Sequence, residues 1–125
     1  MAIQRPMLLS KIHRATVTDA NIDYIGSITL DPVLMRAADL LEGQQVDVLD
    51  VSNGARLTTY VITGQENSGE LTINGAAAHL IHPGDVVIVV AYGLIDESAA
   101  RQHHPIVVHV NSANQVISLG SNPGE

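Results

Sequence analysis

The chain has 125 residues, of which 46% are hydrophobic and 15% charged, with a formal net charge of −7. One globular domain is implied and intrinsic disorder excluded, and the acidic balance argues against nucleic acid, whose binders need a basic surface. Cysteine is absent, which excludes disulfides, thiolate metal sites and cysteine nucleophiles. No apolar run reaches the roughly 18 residues of a membrane span. The Met7-Leu8-Leu9 run is too short for a secretory core. A soluble, cytoplasmic protein is expected.

In chain order, Leu8–Val17 reads as a strand by partial alternation. The segment 23–27 is a turn, and Ile28-Thr29-Leu30 resumes extended chain. Asp31-Pro32 is a helix start, with Asp as N-cap and Pro at the first helical position. Leu34, Ala37, Ala38 and Leu41 follow at helical spacing, and Gly43 is expected at the C′ position. Val46–Val51 is a strand, Asn53-Gly54 a hairpin turn, and Arg56–Thr63 the return strand, with Thr58, Tyr60 and Ile62 on one face. Glu70–Asn74 is a short strand leading into a loop or short helix at 74–79. His82-Pro83-Gly84-Asp85 is a turn, and Val86–Ala91 a strand buried on both faces. Asp96–Gln102 suggests a short helix and Ile106–Val110 a late strand, while Ser121–Glu125 is expected to be loose. The whole reads as a mainly β single domain, 1–125, a small barrel or sandwich with short helical inserts.

With no Phe or Trp, the core must be aliphatic, and Tyr24, Tyr60 and Tyr92 stand out, as does Lys11, the only lysine. Gly26-Ser27 reads as a plain turn or as a reactive pair. In the second reading the serine hydroxyl attacks the carbonyl before it, helped by the dihedral freedom of glycine. The amide becomes an ester, elimination cuts the chain, and hydrolysis leaves a pyruvoyl group, an electron sink of the kind pyridoxal phosphate provides elsewhere.

The segments Met7–Arg14, Tyr24–Ser27, Asn53–Tyr60 and Asn74–His79 occur in this order and with these intervening lengths. Together they resemble the pyruvoyl-dependent aspartate 1-decarboxylases, over about residues 7 to 100. The resemblance implies a six-stranded double-psi β-barrel, a homotetramer with sites between subunits, and decarboxylation of L-aspartate to β-alanine for pantothenate synthesis. It implies cleavage between Gly26 and Ser27 into fragments 1–26 and 27–125, with Ser27 becoming the pyruvoyl group that takes substrate as a Schiff base. Tyr60 matches the proton donor. Thr59, Gly75, Ala76 and Ala77 match substrate-binding positions, and Lys11 and Arg56 match basic residues lining the pocket. His13, Tyr24 and Asn74 are accessory candidates. Ile28 and Leu80 stand where some members carry cysteine, and the chain after about Arg101 matches little.

The residues agree with these roles. A guanidinium recognises a carboxylate in bidentate fashion and an ammonium does so as a point charge, so Arg56 and Lys11 suit an acidic substrate. Which cation holds which carboxylate stays open. Tyr60 shares a strand face with Arg56 by the two-residue period, and its phenol suits a general acid. Bland readings stand beside these: a solvated hairpin arginine, an edge-strand lysine, a half-buried tyrosine. His79, His82, His103, His104 and His109 fit no metal-ligand spacing, so no metal is expected. A non-catalytic barrel binding an anionic ligand or a partner protein, maturation by a helper protein, and a pyruvoyl enzyme for another acidic amino acid such as glutamate are the competing expectations.

Overall fold

The computed structural model describes residues 3–125. Its strands are β1 (Gln4–Thr16), β2 (Asp19–Asn21), β3 (Ser27–Leu30), β4 (Gln45–Asp50), β5 (Arg56–Thr63), β6 (Leu71–Asn74), β7 (Val86–Asp96), β8 (Ile106–Val110) and β9 (Val116–Gly120). Helix α1 (Pro32–Ala37) follows β3, a 3-10 turn (Gly75–His79) follows β6, and helix α2 (Glu97–Ala100) follows β7. The strand order is β2-β6-β3-β5-β4-β7-β1-β8-β9.

That order closes on itself, because β1 and β2 are one run of chain. At the bend between them, the Val17 N–H donates to Asp85 O and the Thr18 N–H to Leu71 O, both at 2.9 Å. The wall β1/β2, then β6, β3, β5, β4 and β7, therefore forms a six-stranded barrel, with β8 and β9 added along the outer edge of β1. Closure leaves the barrel strands no open edge.

The pairing has an internal two-fold. β2 with β6 and β3 with β5 are parallel, while β1 with β7 and β5 with β4 are antiparallel. β3 with β6 and β4 with β7 are antiparallel across the axis. Exchanging β1/β2, β3 and β4 for β5, β6 and β7 reproduces every pairing. Two interlocked halves result, with α1 and the 3-10 turn in matching places. This is the double-psi arrangement the resemblance implied.

The interior is aliphatic, as the composition required. Ile12, Ile28, Leu30, Leu34, Val48, Val61, Leu71, Ile81 and Val87 are fully buried. β5 and β8 have the limits read from the sequence. β7 runs five residues further than expected, to Asp96, because Gln4–Leu8 at the start of β1 supplies partners for Tyr92–Asp96.

Three local expectations need correction. Helix α1 starts as read: Asp31 Oδ1 accepts from the Val33 N–H (2.9 Å), and the same carboxylate takes the N–H groups of Asn67 (3.1 Å) and Gly69 (2.8 Å). It ends early, however. Asp39, at φ 55°, takes the left-handed position expected of Gly43, and the Leu40 N–H donates to Met35 O at 2.8 Å. This is the paired capping pattern of a helix C-terminus, and it leaves Leu41 on the surface. Gly43 instead donates to Val61 O (2.7 Å). The Asn53-Gly54 hairpin is wider than a two-residue turn, spanning Val51–Ala55, with the Gly54 N–H on Asp50 O at 2.8 Å. Finally, the segment 121–125, expected to be loose, folds back onto β1 and β8 through hydrogen bonds to Lys11 and His109.

Candidate active site

The chain passes from solvent into the barrel wall at one peptide bond. Gly26 is exposed and Ser27, the first residue of β3, is 1% exposed. β3 lies between β5 and β6, so residues from both strands flank Ser27. On the β6 side its register partner is Asn74. The Asn74 Nδ2 donates to Ser27 Oγ (3.0 Å) and to Thr29 Oγ1 (2.9 Å), and the Ser27 hydroxyl donates back to Ile25 O (3.1 Å). The nucleophile candidate is thus turned back along its own chain, with an amide donor on its oxygen. Such a donor stabilises negative charge that develops there.

Gly75 explains why that chain lies where it does. Its φ is +72°, and a Cβ on it would stand 2.6 Å from Gly26 Cα and 2.7 Å from Gly26 N. The backbone of 74–75 therefore seats the backbone of Gly26 directly, an approach no side chain at 75 would permit. Tyr24 belongs to the same cluster, since its carbonyl oxygen also lies against Gly75.

On the β5 side, Ile28 pairs with Val61. Carried back along the two parallel strands, this register brings Tyr60 level with Ser27 and Thr59 level with Gly26. Ile28 and Val61 point into the core, so Ser27 and Tyr60 share the outer face with Arg56 and Thr58. Arg5, Arg36 and Arg101 are tied to Glu97 or Glu66, whereas Arg56 pairs with no carboxylate among the described residues. Ala76 and Ala77 continue from Gly75 along the 3-10 turn.

Beside Ser27 a cleft of about 330 Å³ is lined by Tyr24, Thr29, Thr72 and Asn74, together with Asp19 and Glu70. This cleft therefore carries two carboxylates, whereas Arg56 lies on the β5 side. Thr29 is the residue that sequence reasoning missed. Its position two residues beyond Ser27, on the same strand face, was the available signal.

Lys11 and His13 are not part of this cluster. They lie on β1, and in the closed order of six walls β1 stands directly across the barrel from β5. Ile12 between them is fully buried, so both side chains face outward, away from Arg56. Burial first, and then the Lys11 ammonium, hold the His13 imidazole below its ordinary pKa, so it is neutral at pH 7. Its Nδ1 is buried without a hydrogen-bond partner among the described residues. The other histidines gather no metal site: no group of three His, Asp or Glu among the described residues is placed to hold an ion.

The family model of aspartate decarboxylase matches residues 3–117, further in both directions than the motifs alone indicated. The chain belongs to the aspartate decarboxylase family. Its reaction is the pyruvoyl-dependent decarboxylation of aspartate to β-alanine, a carboxy-lyase step that feeds pantothenate synthesis. The pyruvoyl group of the family is covalent and made from a serine. The residues present fit it: a buried serine after an exposed glycine, a donor on the hydroxyl, and a side-chain-free neighbour at 75. Among solved structures, the chain is similar to the computationally designed msDPBB_sym2 protein, at 14% identity and TM-score 0.43, over 68% of this chain and 96% of that one. Among the described residues no helix is long and apolar enough to cross a membrane.

Proposed function

We propose that the chain cuts itself between Gly26 and Ser27, giving fragments 1–26 and 27–125, and that Ser27 carries the reactive carbonyl. Ser27 Oγ attacks the Gly26 carbonyl carbon, and the C–N bond between them breaks to give an ester and a free amine. Loss of the Ser27 α-proton expels the Gly26 carboxylate. Uptake of water and release of ammonia then leave the ketone. The seating of Gly26 on Gly75, with Asn74 donating to Ser27 Oγ, is the observation that supports this most.

The ketone supplies a carbonyl for the amino group of aspartate and a sink for the electron pair that carbon dioxide leaves behind. The chain's own side chains do the rest. Arg56, on the outer face and free of acidic partners among the described residues, holds one substrate carboxylate. The backbone of Thr59, level with Gly26, and that of Gly75, Ala76 and Ala77 line the pocket, and the Tyr60 phenol delivers the proton to Cα. Tyr24 and Asn74 position the reactive segment.

Lys11 and His13 complete the pocket from a neighbouring copy. One chain presents Arg56 and Lys11 on opposite walls, so a single site that uses both takes them from two subunits. Exposed apolar side chains on the outer surface, Ile25 at 71%, Leu94 at 64% and Tyr92 at 53%, favour association. A homotetramer with intersubunit sites, working in the cytoplasm, accommodates these features.

Intact mass is the test. The purified protein is expected as two fragments, the second blocked to N-terminal sequencing, and Ser27→Ala is expected whole and inactive. If Ser27→Ala still releases carbon dioxide from aspartate, the reading is wrong. Comparing expression with and without host lysate separates unaided maturation from a need for a helper protein.

A further inference from the structure

Residues 121–125 form a built loop on the outer face of β1 and β8. The Lys11 Nζ donates to the main-chain oxygens of Pro123 (3.1 Å) and Glu125 (2.5 Å). The His109 Nε2 lies 3.2 Å from Glu125 Oε1. The other carboxylate oxygen, Oε2, accepts the N–H groups of Ser121 (3.1 Å) and Asn122 (2.8 Å). The Glu125 N–H returns to Asn122 O at 3.1 Å, and Asn122 Oδ1 accepts from the Gly124 N–H at 2.9 Å. Gly120 makes the room: a Cβ there would collide with both carboxylate oxygens of Glu125. The Asn122 N–H first, and then His109, hold the Glu125 carboxyl below its ordinary pKa, so it is ionised at neutral pH.

The chain's only lysine is therefore engaged, two of its three donors by main-chain oxygens of this loop, while the Glu125 carboxylate rests on the neighbouring His109. We propose that residues 121–125 act as an internal competitor of the acidic substrate, a strap that must leave Lys11 before aspartate can use it. This rests on the assignment of Lys11 to the aspartate pocket. All of the contacts between the strap and β1 or β8 are exposed, so releasing it costs little and the strap opens reversibly. Such a device raises KM without touching the chemical step, and it keeps the enzyme slow when the acidic substrate is scarce.

Three variants test this in the self-processed enzyme. A chain ending at Gly120 is expected to show a KM for aspartate about fivefold lower, the limit that an exposed charge pair supports, with kcat unchanged. Gly120→Ala, whose Cβ displaces the Glu125 carboxylate in the full-length chain, is expected to lower KM in the same direction. It serves as the readout if the shortened chain fails to fold. The peptide Ser-Asn-Pro-Gly-Glu added to the shortened enzyme is expected to inhibit competitively against aspartate. An unchanged or raised KM in the shortened chain, or in Gly120→Ala where only that variant folds, overturns the strap. Lys11→Ala separates the two layers. If it raises KM while removal of the strap has no effect, the strap alone fails. If it leaves KM unchanged, the assignment of Lys11 to the pocket fails and the strap with it.

Discussion

Replacing Gly75 with alanine puts the seating of the reactive bond under direct stress. The new Cβ would stand 2.6 Å from Gly26 Cα, whereas carbon atoms rest about 3.5–4.0 Å apart, so one of the two backbones must yield by about 1 Å. Holding alanine at φ +72° adds a left-handed penalty of about 1–2 kcal/mol, and overpacking adds about 1–3 kcal/mol. A fall in Tm of roughly 10 °C follows for a domain of this size. The larger effect falls on chemistry. A displacement of about 1 Å at a reacting centre costs on the order of 10²-fold in rate, so self-cleavage of freshly purified precursor is expected to slow by that factor while the circular dichroism spectrum keeps its β signature. The assay is intact mass against time at constant temperature. Cleavage at the wild-type rate with an unchanged Tm would refute the claim that Gly75 seats the scissile segment.

Tyr60→Phe is expected to cut at the normal rate but to lose about 10²–10⁴ in kcat, the usual worth of a positioned general acid; a kcat within threefold of wild type would remove Tyr60 from the proton transfer. Asp50→Asn is expected to change the pH dependence of stability. Asp50 is buried, and its Oδ2 has no hydrogen-bond partner among the described residues. Burial first, and then the nearby Asp85 carboxyl, push its pKa above the ordinary carboxyl value. A carboxyl raised in the folded state contributes stability that is present below its unfolded pKa and lost as pH rises through the folded one. Asparagine keeps an oxygen for the Ser52 and Asn53 N–H groups and removes the buried charge. Its Tm is expected to gain on wild type as pH rises above the ordinary aspartate pKa of about 3.9, and Tm curves that stay parallel from about pH 3 to about pH 8 would contradict the assignment. Asp85 moves the opposite way, held below the ordinary value chiefly by Asp50, so its contribution is lost only as pH falls.

The strands with strong local signals were legible in the sequence. β5 alternates and β8 is a short apolar run, and both have the limits their patterns mark. The start of α1 was legible because Asp-Pro carries its own capping chemistry, but its end was not. The helical spacing runs on through Leu41, while the chain turns at Asp39, where a left-handed aspartate does what glycine was expected to do. β9 went unseen because Ile117 and Leu119 face solvent, so no buried alternation marks it. At the site, Gly26, Ser27, Asn74 and Gly75 were legible as motifs. Their mutual contact was not, since Gly75 meets Gly26 only after β6 pairs with β3. The separation of Lys11 from Arg56 was equally hidden, because it depends on barrel closure rather than on spacing. The fold-back of 121–125 depends on Lys11, more than a hundred residues away, and has no local sequence signal.

On the cleavage proposed here, the wall formed by β1 and β2 belongs to a different polypeptide from the other five. It remains in place through its ladders to β6, β7 and β8 and through the buried side chains of Ile12, Ala15 and Val17. Melting the nicked molecule releases two separate chains, and reassembly becomes a second-order encounter that dilution slows. The uncut precursor finds the same strand by an intramolecular search. Maturation therefore trades reversible refolding for a reactive end group, and the longevity of the finished enzyme rests on how slowly that one strand peels away.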